Sequence, residues 1–387
     1  MTAIIKPFQR LFQPKKPIPA GMYTYISPPD DPRNYRLHLR LEEQGGGVLI
    51  VNASTILHLN QTAADYAYYL IHTTPPDEVA KKMVSRYRVS SDQAKQDYLN
   101  LSSRIQTLVE TPDLDPVTFL DFERKIPFSG QITAPYRLDC ALTYRLPEGS
   151  PPEVVPHEEV ERELNTDEWK MLMDKAWEAG IPHIIFTGGE PTLRKDLPEL
   201  LDYAEQLGMV TGLLTDGIRF SDDPYREVLL VTGLDHVMIV LNTESEKAWE
   251  AVEESIVEDL FLAVHLTITE KNHERIPDYI KRLAGFGVHE ISISTEDPKY
   301  NSDLDAAREQ IAALGFNLIW NLPVPYSIQH PVAIEIAELE IVPEGTGRAW
   351  LYVEPDGDVR ARQGAKRVFG NLLTDPWESI WKNVQTD

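Results

Sequence analysis

The chain has 387 residues, 42% hydrophobic and 25% charged, with a formal net charge of −24. That length allows two or three compact domains, and the composition excludes a disordered polymer. The acidity argues against nucleic acid or an anionic membrane as the main partner, and no apolar run approaches the roughly 18 residues of a membrane span.

Residues 1–40 carry seven Lys/Arg against Asp30 and Asp31, a net +5 that leaves −29 on the remainder. They read as a basic, Pro-rich arm. They lack the long apolar run and small-residue cleavage site of a secretory signal. Residues 41–112 read as a small domain. RLHLRLEE and GVLIVNA are strands around Gly45–Gly47, and STILHLN continues the extended pattern. Asn60 or Thr62 then caps a helix whose Ala63, Tyr66, Ala67 and Leu70 share one face. Further helices begin at Asp77 and at Ser90–Ser91, and TPDLDP at 111–116 reads as a linker.

From about residue 131 to 330 the pattern alternates. Strands RLDCALTY, HIIFT, VTGLLT, DHVMIVLN, LAVHLTIT and EISIS are interleaved with amphipathic helices, and NLIWNLPV follows. The helix TDEWKMLMDKAWEAG has a cap at Thr166 and a stop at Gly180. About six β/α units predict parallel strands with crossover helices, an open partial (β/α)6 barrel short of the eight-fold TIM barrel. Any site then belongs at the C-terminal ends of the strands. Residues 331–387 form an extension, a hairpin turning at Asp356–Gly357 and a short helix bearing Trp377, Ile380 and Trp381.

The strongest local feature is Phe186-Thr187-Gly188-Gly189-Glu190-Pro191-Thr192-Leu193 directly after the strand HIIF. Two glycines at a strand end permit close backbone approach to a ligand, and Glu190 would face the mouth, where a carboxylate can meet an ammonium group. By itself the turn reads as a tight strand-to-helix connection rather than a ligand site. With its surroundings, FTGGEPTL resembles the SAM-binding turn of radical S-adenosylmethionine (SAM) proteins. LLTDGIRF resembles that family's Thr-Asn-Gly segment with Asp216 in place of Asn, and VLNTES resembles its ribose-side segment, with Asn242 near the polar position. The resemblance implies SAM bound by Gly188, Gly189, Glu190, Thr215 and Asn242.

Two flanking resemblances narrow the family to peptide maturation. Residues 41–110, through Leu59-Asn60-x-Thr62-Ala63, resemble the winged-helix peptide-binding domain of the pyrroloquinoline-quinone chaperone type (PqqD-like). LYVEPDGDVRARQG…FGNLLTDPWESIW resembles the SPASM/twitch-like auxiliary-cluster extension of the same enzymes. A precursor peptide, taken up by strand addition, is the implied partner.

The family's catalytic 4Fe-4S cluster is implied to rest on a C-x3-C-x2-C loop after the first barrel strand. Here that loop reads LTYRLPEGSPPEVVPHEE, with Leu146, Ser150 and Glu153 at the three places. Leucine cannot ligate, and serine and glutamate are hard ligands where iron–sulfur chemistry takes thiolates. The chain's one cysteine, Cys140, lies six residues before the loop position, reads as a buried core thiol and fits a reducing cytoplasm. Arg362 stands where the extension's cysteine would follow DGDV. His157 with Glu158, Glu159 and Glu161 is the densest alternative donor set and reads as a solvated acidic loop.

The sequence therefore predicts a cytoplasmic pseudoenzyme of radical SAM fold, with the 4Fe-4S cluster absent and SAM binding retained as an option. It would serve as a non-catalytic partner of a peptide or of a cluster-bearing paralogue. The alternative is a non-radical enzyme using Glu190, Asp216 and Glu153 for acid–base work on SAM or a peptide. Classed by likeness alone, the chain would be a radical SAM enzyme.

Overall fold

The computed structural model describes residues 18–28, 30–52, 55–111, 132–148, 160–258, 260–318 and 347–386. Ser150, Glu153, His157, Glu158 and Glu159 lie outside these residues, as do residues 112–131 and 319–346. Two compact units divide at Thr133–Ala134.

In the first unit, β1 (Gly21–Ile26), β2 (Arg36–Leu41), β3 (Gly47–Val51) and β4 (Thr55–Leu59) form an antiparallel meander in that order. Period-2 alternation sets its inner face: Leu37 pairs with Val51, Leu39 with Leu49, and Leu49 with Leu57. These residues join Ala64, Ala67 and Ile71 of α1 (Gln61–Ile71) and Ile105, Leu108 and Val109 of α3 (Ser91–Glu110) in one core. Asn60 is the cap of α1, accepting from Ala63 N at 3.0 Å, and Ser90 caps α3, accepting from Gln93 N at 3.2 Å. Between them, α2 (Pro76–Arg86) starts on a proline in its first turn, where no amide is needed. The sheet begins within the segment read as a basic arm: Tyr23 and Tyr25 of β1 pack on the core, an alternation that the surrounding prolines obscure in the sequence.

In the second unit, β5 (Arg137–Thr143), β6 (His183–Gly188), β7 (Val210–Thr215), β8 (His236–Val240), β9 (Phe261–Ile268), β10 (Glu290–Thr295) and β11 (Asn317–Leu318) run parallel as neighbours. The helices α4 (Thr166–Glu178), α5 (Leu197–Leu207), α6 (Asp223–Val231), α7 (Glu246–Ser255), α8 (Ile276–Phe286) and α9 (Asn301–Ala313) alternate with them, giving a partial barrel of six β/α units. Helix α6 has no counterpart among the elements expected from the sequence. It is nine residues long, opens on Asp223-Pro224 and holds the strand-like run Val228–Val231. The cap of α4 is Asn165, one residue before the expected Thr166; it forms a reciprocal pair with Glu168.

The C-terminal extension is part of the same sheet. β12 (Trp350–Val353) lies parallel to β5, and β13 (Asp358–Arg360) and β14 (Val368–Asn371) follow antiparallel. The hairpin turns at Asp356–Gly357, and α10 (Trp377–Gln385) buries Ile380 and Trp381. Lys175 of α4 donates its Nζ to the carbonyls of Leu372, Leu373 and Asp375 at 2.6, 3.2 and 2.9 Å, fastening that end.

Register gives the barrel sheet two chemically distinct faces. Leu138, Cys140 and Leu142, with Ile184, Phe186, Leu213, Val237, Ile239 and Val264, share the apolar face that the helices cover. The inner face holds buried polar groups, Asp139, Thr187, His265, Ser294 and Tyr352, with His236 half-buried beside them. His265 is satisfied by the hydroxyls of Ser292 and Ser294 at 2.9 and 3.1 Å, and burial draws its pKa down to about 4.

Candidate functional site

The turn after β6 is shaped by what it approaches. At Gly188, φ is +120°, and a Cβ there would lie 2.2 Å from the carbonyl oxygen of Thr143; at Gly189 it would lie 2.3 Å from that of Arg145. Only glycine fits either place. The close approach is to the backbone leaving β5, which accepts from Gly189 N at 2.7 Å and Glu190 N at 2.8 Å. The turn and the start of the 144–165 connection are thus one hydrogen-bonded unit.

Glu190 is 2% exposed. Its Oε1 accepts from Thr192 N (3.0 Å), Thr192 Oγ1 (2.5 Å) and Thr215 Oγ1 (2.8 Å), and its Oε2 from Asp216 N (2.7 Å). Burial, with the Asp216 carboxylate beside it, nevertheless pushes its pKa up to about 7, against the pull of these donors. Burial also raises Asp216, whose Oδ1 accepts from Ile218 N at 2.9 Å. Gly188, Gly189, Glu190, Thr215 and Asp216 therefore meet at the mouth, as the motif spacing suggests. Asn242 is exposed at the end of β8, where its Oδ1 accepts from Glu244 N at 3.1 Å within its own turn.

Two further groups lie beside this turn, Arg219 within LLTDGIRF and Tyr225 beyond the motifs. Arg219 donates Nη1 to the carbonyl of Thr192 and lies 4.1 Å over the Tyr225 ring. The Tyr225 hydroxyl is enclosed and has no hydrogen-bond partner among the described residues; burial, with Glu190 nearby, pushes it up to about 12, while Arg219 pulls it down. The only signal in the sequence is position: Arg219 and Tyr225 follow the third strand by four and ten residues.

A second polar cluster sits where β5 and β12 end. Tyr144 donates its hydroxyl to Glu354, whose other oxygen faces Arg360 Nε at 2.9 Å, and Thr143 Oγ1 donates to Glu163 at 2.5 Å. Burial, with Asp356 and Asp358 nearby, lifts Glu354 to about 7 in spite of Arg360. Leu146, on the same connection, is half-buried.

Residues 140–265 match the radical SAM superfamily. The PqqA peptide cyclase of Xanthomonas campestris pv. campestris strain 8004 is 26% identical over an alignment covering 65% of this chain and 74% of that protein. Streptococcus suis SuiB bound to its precursor peptide SuiA shares the fold, with a TM-score of 0.57 over 92% of this chain and 88% of that one, at 14% identity. SuiB bound to S-adenosylmethionine gives 0.54 over the same shares. The donors of a three-thiolate cluster can be checked directly. Residues 144–165, between β5 and α4, contain no cysteine, and Cys140 is fully buried on the apolar face of β5, its thiol pushed well up by burial beside Asp139. This donor set does not fit a 4Fe-4S cluster. The second unit of this chain thus carries a match to the radical SAM superfamily over residues 140–265 and a fold like that of SuiB.

Proposed function

We propose that this chain is a cluster-free member of the radical SAM proteins that mature ribosomal peptides, acting as a binding partner or scaffold and not as a radical enzyme. One observation carries the reading: a single, buried cysteine in a domain whose chemistry needs three accessible thiolates on one loop. Arg362 in place of a cysteine after DGDV extends it to the C-terminal extension, a degenerate SPASM/twitch-like element in this reading.

The first unit is then the PqqD-like winged-helix domain. Its β4 is an outer strand of the meander, the arrangement that strand addition by a precursor peptide requires. SAM is held, in this reading, at Gly188, Gly189, Glu190, Thr215 and Asn242, and a cluster-bearing paralogue in the cytoplasm supplies any radical step. Iron and acid-labile sulfide, measured on protein isolated without oxygen and after reconstitution, test the proposal. Substoichiometric iron is expected. Stoichiometric cluster with cleavage of SAM to 5′-deoxyadenosine would overturn it.

The raised pKa values of Glu190 and Asp216 favour a second reading, acid–base chemistry by these carboxylates on SAM or a peptide. Turnover of either by iron-free protein, rising or falling with a transition near pH 7, is its signature.

A further inference from the structure

We propose that Arg219 and Tyr225 form the anion-binding half of a site for an α-amino-carboxylate group, facing the carboxylates of Glu190 and Asp216 across the barrel mouth. The groups come from consecutive strand ends: Glu190 follows β6, Asp216 follows β7, and Arg219 and Tyr225 lie on the connection into α6 and its first turn.

Thr192 ties the two halves together. Its amide and hydroxyl donate to Glu190, while its carbonyl accepts from Arg219 Nη1. The guanidinium is thus anchored to the residue that also donates to Glu190 and lies over the Tyr225 ring, with its Nε–Nη2 edge uncommitted among the described residues. That edge is the fork that binds a carboxylate with two parallel hydrogen bonds. Among the described residues Arg219 makes no ion pair, and neither Glu190 nor Asp216 meets a cation.

Among the described residues the enclosed Tyr225 hydroxyl has nothing to donate to, and the fully buried Thr187 Oγ1 beside Gly188 is likewise unmet. A buried polar group left unpaired is costly, which favours a ligand that completes it. A simple cation would leave Arg219 unmet, and a simple anion would be repelled by the two carboxylates. An α-amino acid head carries both charges on one carbon and meets both halves.

The inference deepens the SAM-binding part of the proposed function and rests on it for the choice of probe. The full chain is titrated with SAM and with decarboxylated SAM, which keeps the ammonium and lacks the carboxylate, with thermal melting to verify folding. Wild-type protein should prefer SAM by about tenfold or more, the value of a charge-assisted pair. Arg219→Gln should abolish that preference by weakening SAM alone, Tyr225→Phe should reduce it, and Arg219→Lys should restore part of it. Equal affinity of wild-type protein for the two compounds, an equal loss of both in folded Arg219→Gln, or no binding of either would each overturn the inference. The iron measurement is independent of this titration, so a negative outcome in one leaves the other proposal standing.

Discussion

The imidazole of His236 occupies the space that a side chain at Gly212 would need: a Cβ there would lie 2.1 Å from His236 Cε1. The ring is held by His183, whose Nε2 is 2.7 Å from His236 Nε2, and burial, with Arg137 nearby, draws its pKa down to about 4. Gly212→Ala should therefore cost about 1–3 kcal/mol in urea unfolding, the usual range for overpacking. His236→Ala should recover most of that loss in the double variant. Simple additivity of the two substitutions would show that the contact is not the cause.

Glu190 accepts four hydrogen bonds in a water-poor site, so Glu190→Ala strands four donors. A loss of at least roughly 2 kcal/mol is expected from chemical denaturation, since each unmet buried group costs on the order of 1–3 kcal/mol. Glu190→Gln keeps one oxygen for Thr192 and Thr215 but turns an amide toward Asp216 N, and should fall between. Ligand binding in Glu190→Ala is interpretable only alongside its melting temperature.

Glu354 is lifted from its ordinary 4.5 to about 7. Between these values the folded protein holds a proton that the unfolded chain has released, so stability should fall as pH rises from about 4.5 to 7 and be lowest above it. Glu354→Gln, which can still accept from Arg360, should flatten that slope. Glu190 shifts in the same direction and leaves a residual slope. A wild-type stability that rises across the same range would contradict both assignments.

Cys140 should react with a thiol reagent only when the chain unfolds, because burial both hides and neutralises it. Reaction of one thiol in native buffer at the rate of a free cysteine would refute the placement. Cys140→Ala should leave iron content after reconstitution unchanged.

The repetitive parts of this fold are legible in the sequence because they obey one rule at a time. Strands β5 to β10 each end near their expected places, the end expected for the next lies outside the described residues, and FTGGEPTL marks the mouth. Helix α6 escapes because its short apolar run reads as a strand, and β1 escapes because its two inward tyrosines sit among prolines and aspartates. The pairing of β12 with β5 links residues more than 200 positions apart, and no local pattern encodes it. At the site, the spacing points to Glu190 and Asp216, yet not to a carboxylate so enclosed that four of its hydrogen bonds come from the chain itself. Arg219 and Tyr225 are invisible for the same reason, since their stacking depends on how the connection after β7 folds back.

Because β12 lies along the flank of β5, the strand that launches the 144–165 connection has neighbours on both sides. Cutting the chain before residue 347 would strip away that cover and bare a row of backbone amides and carbonyls, an invitation to intermolecular sheet growth. The C-terminal segment is better regarded as a wall of the barrel than as an appendage, and fragments built on the barrel alone would be expected to precipitate.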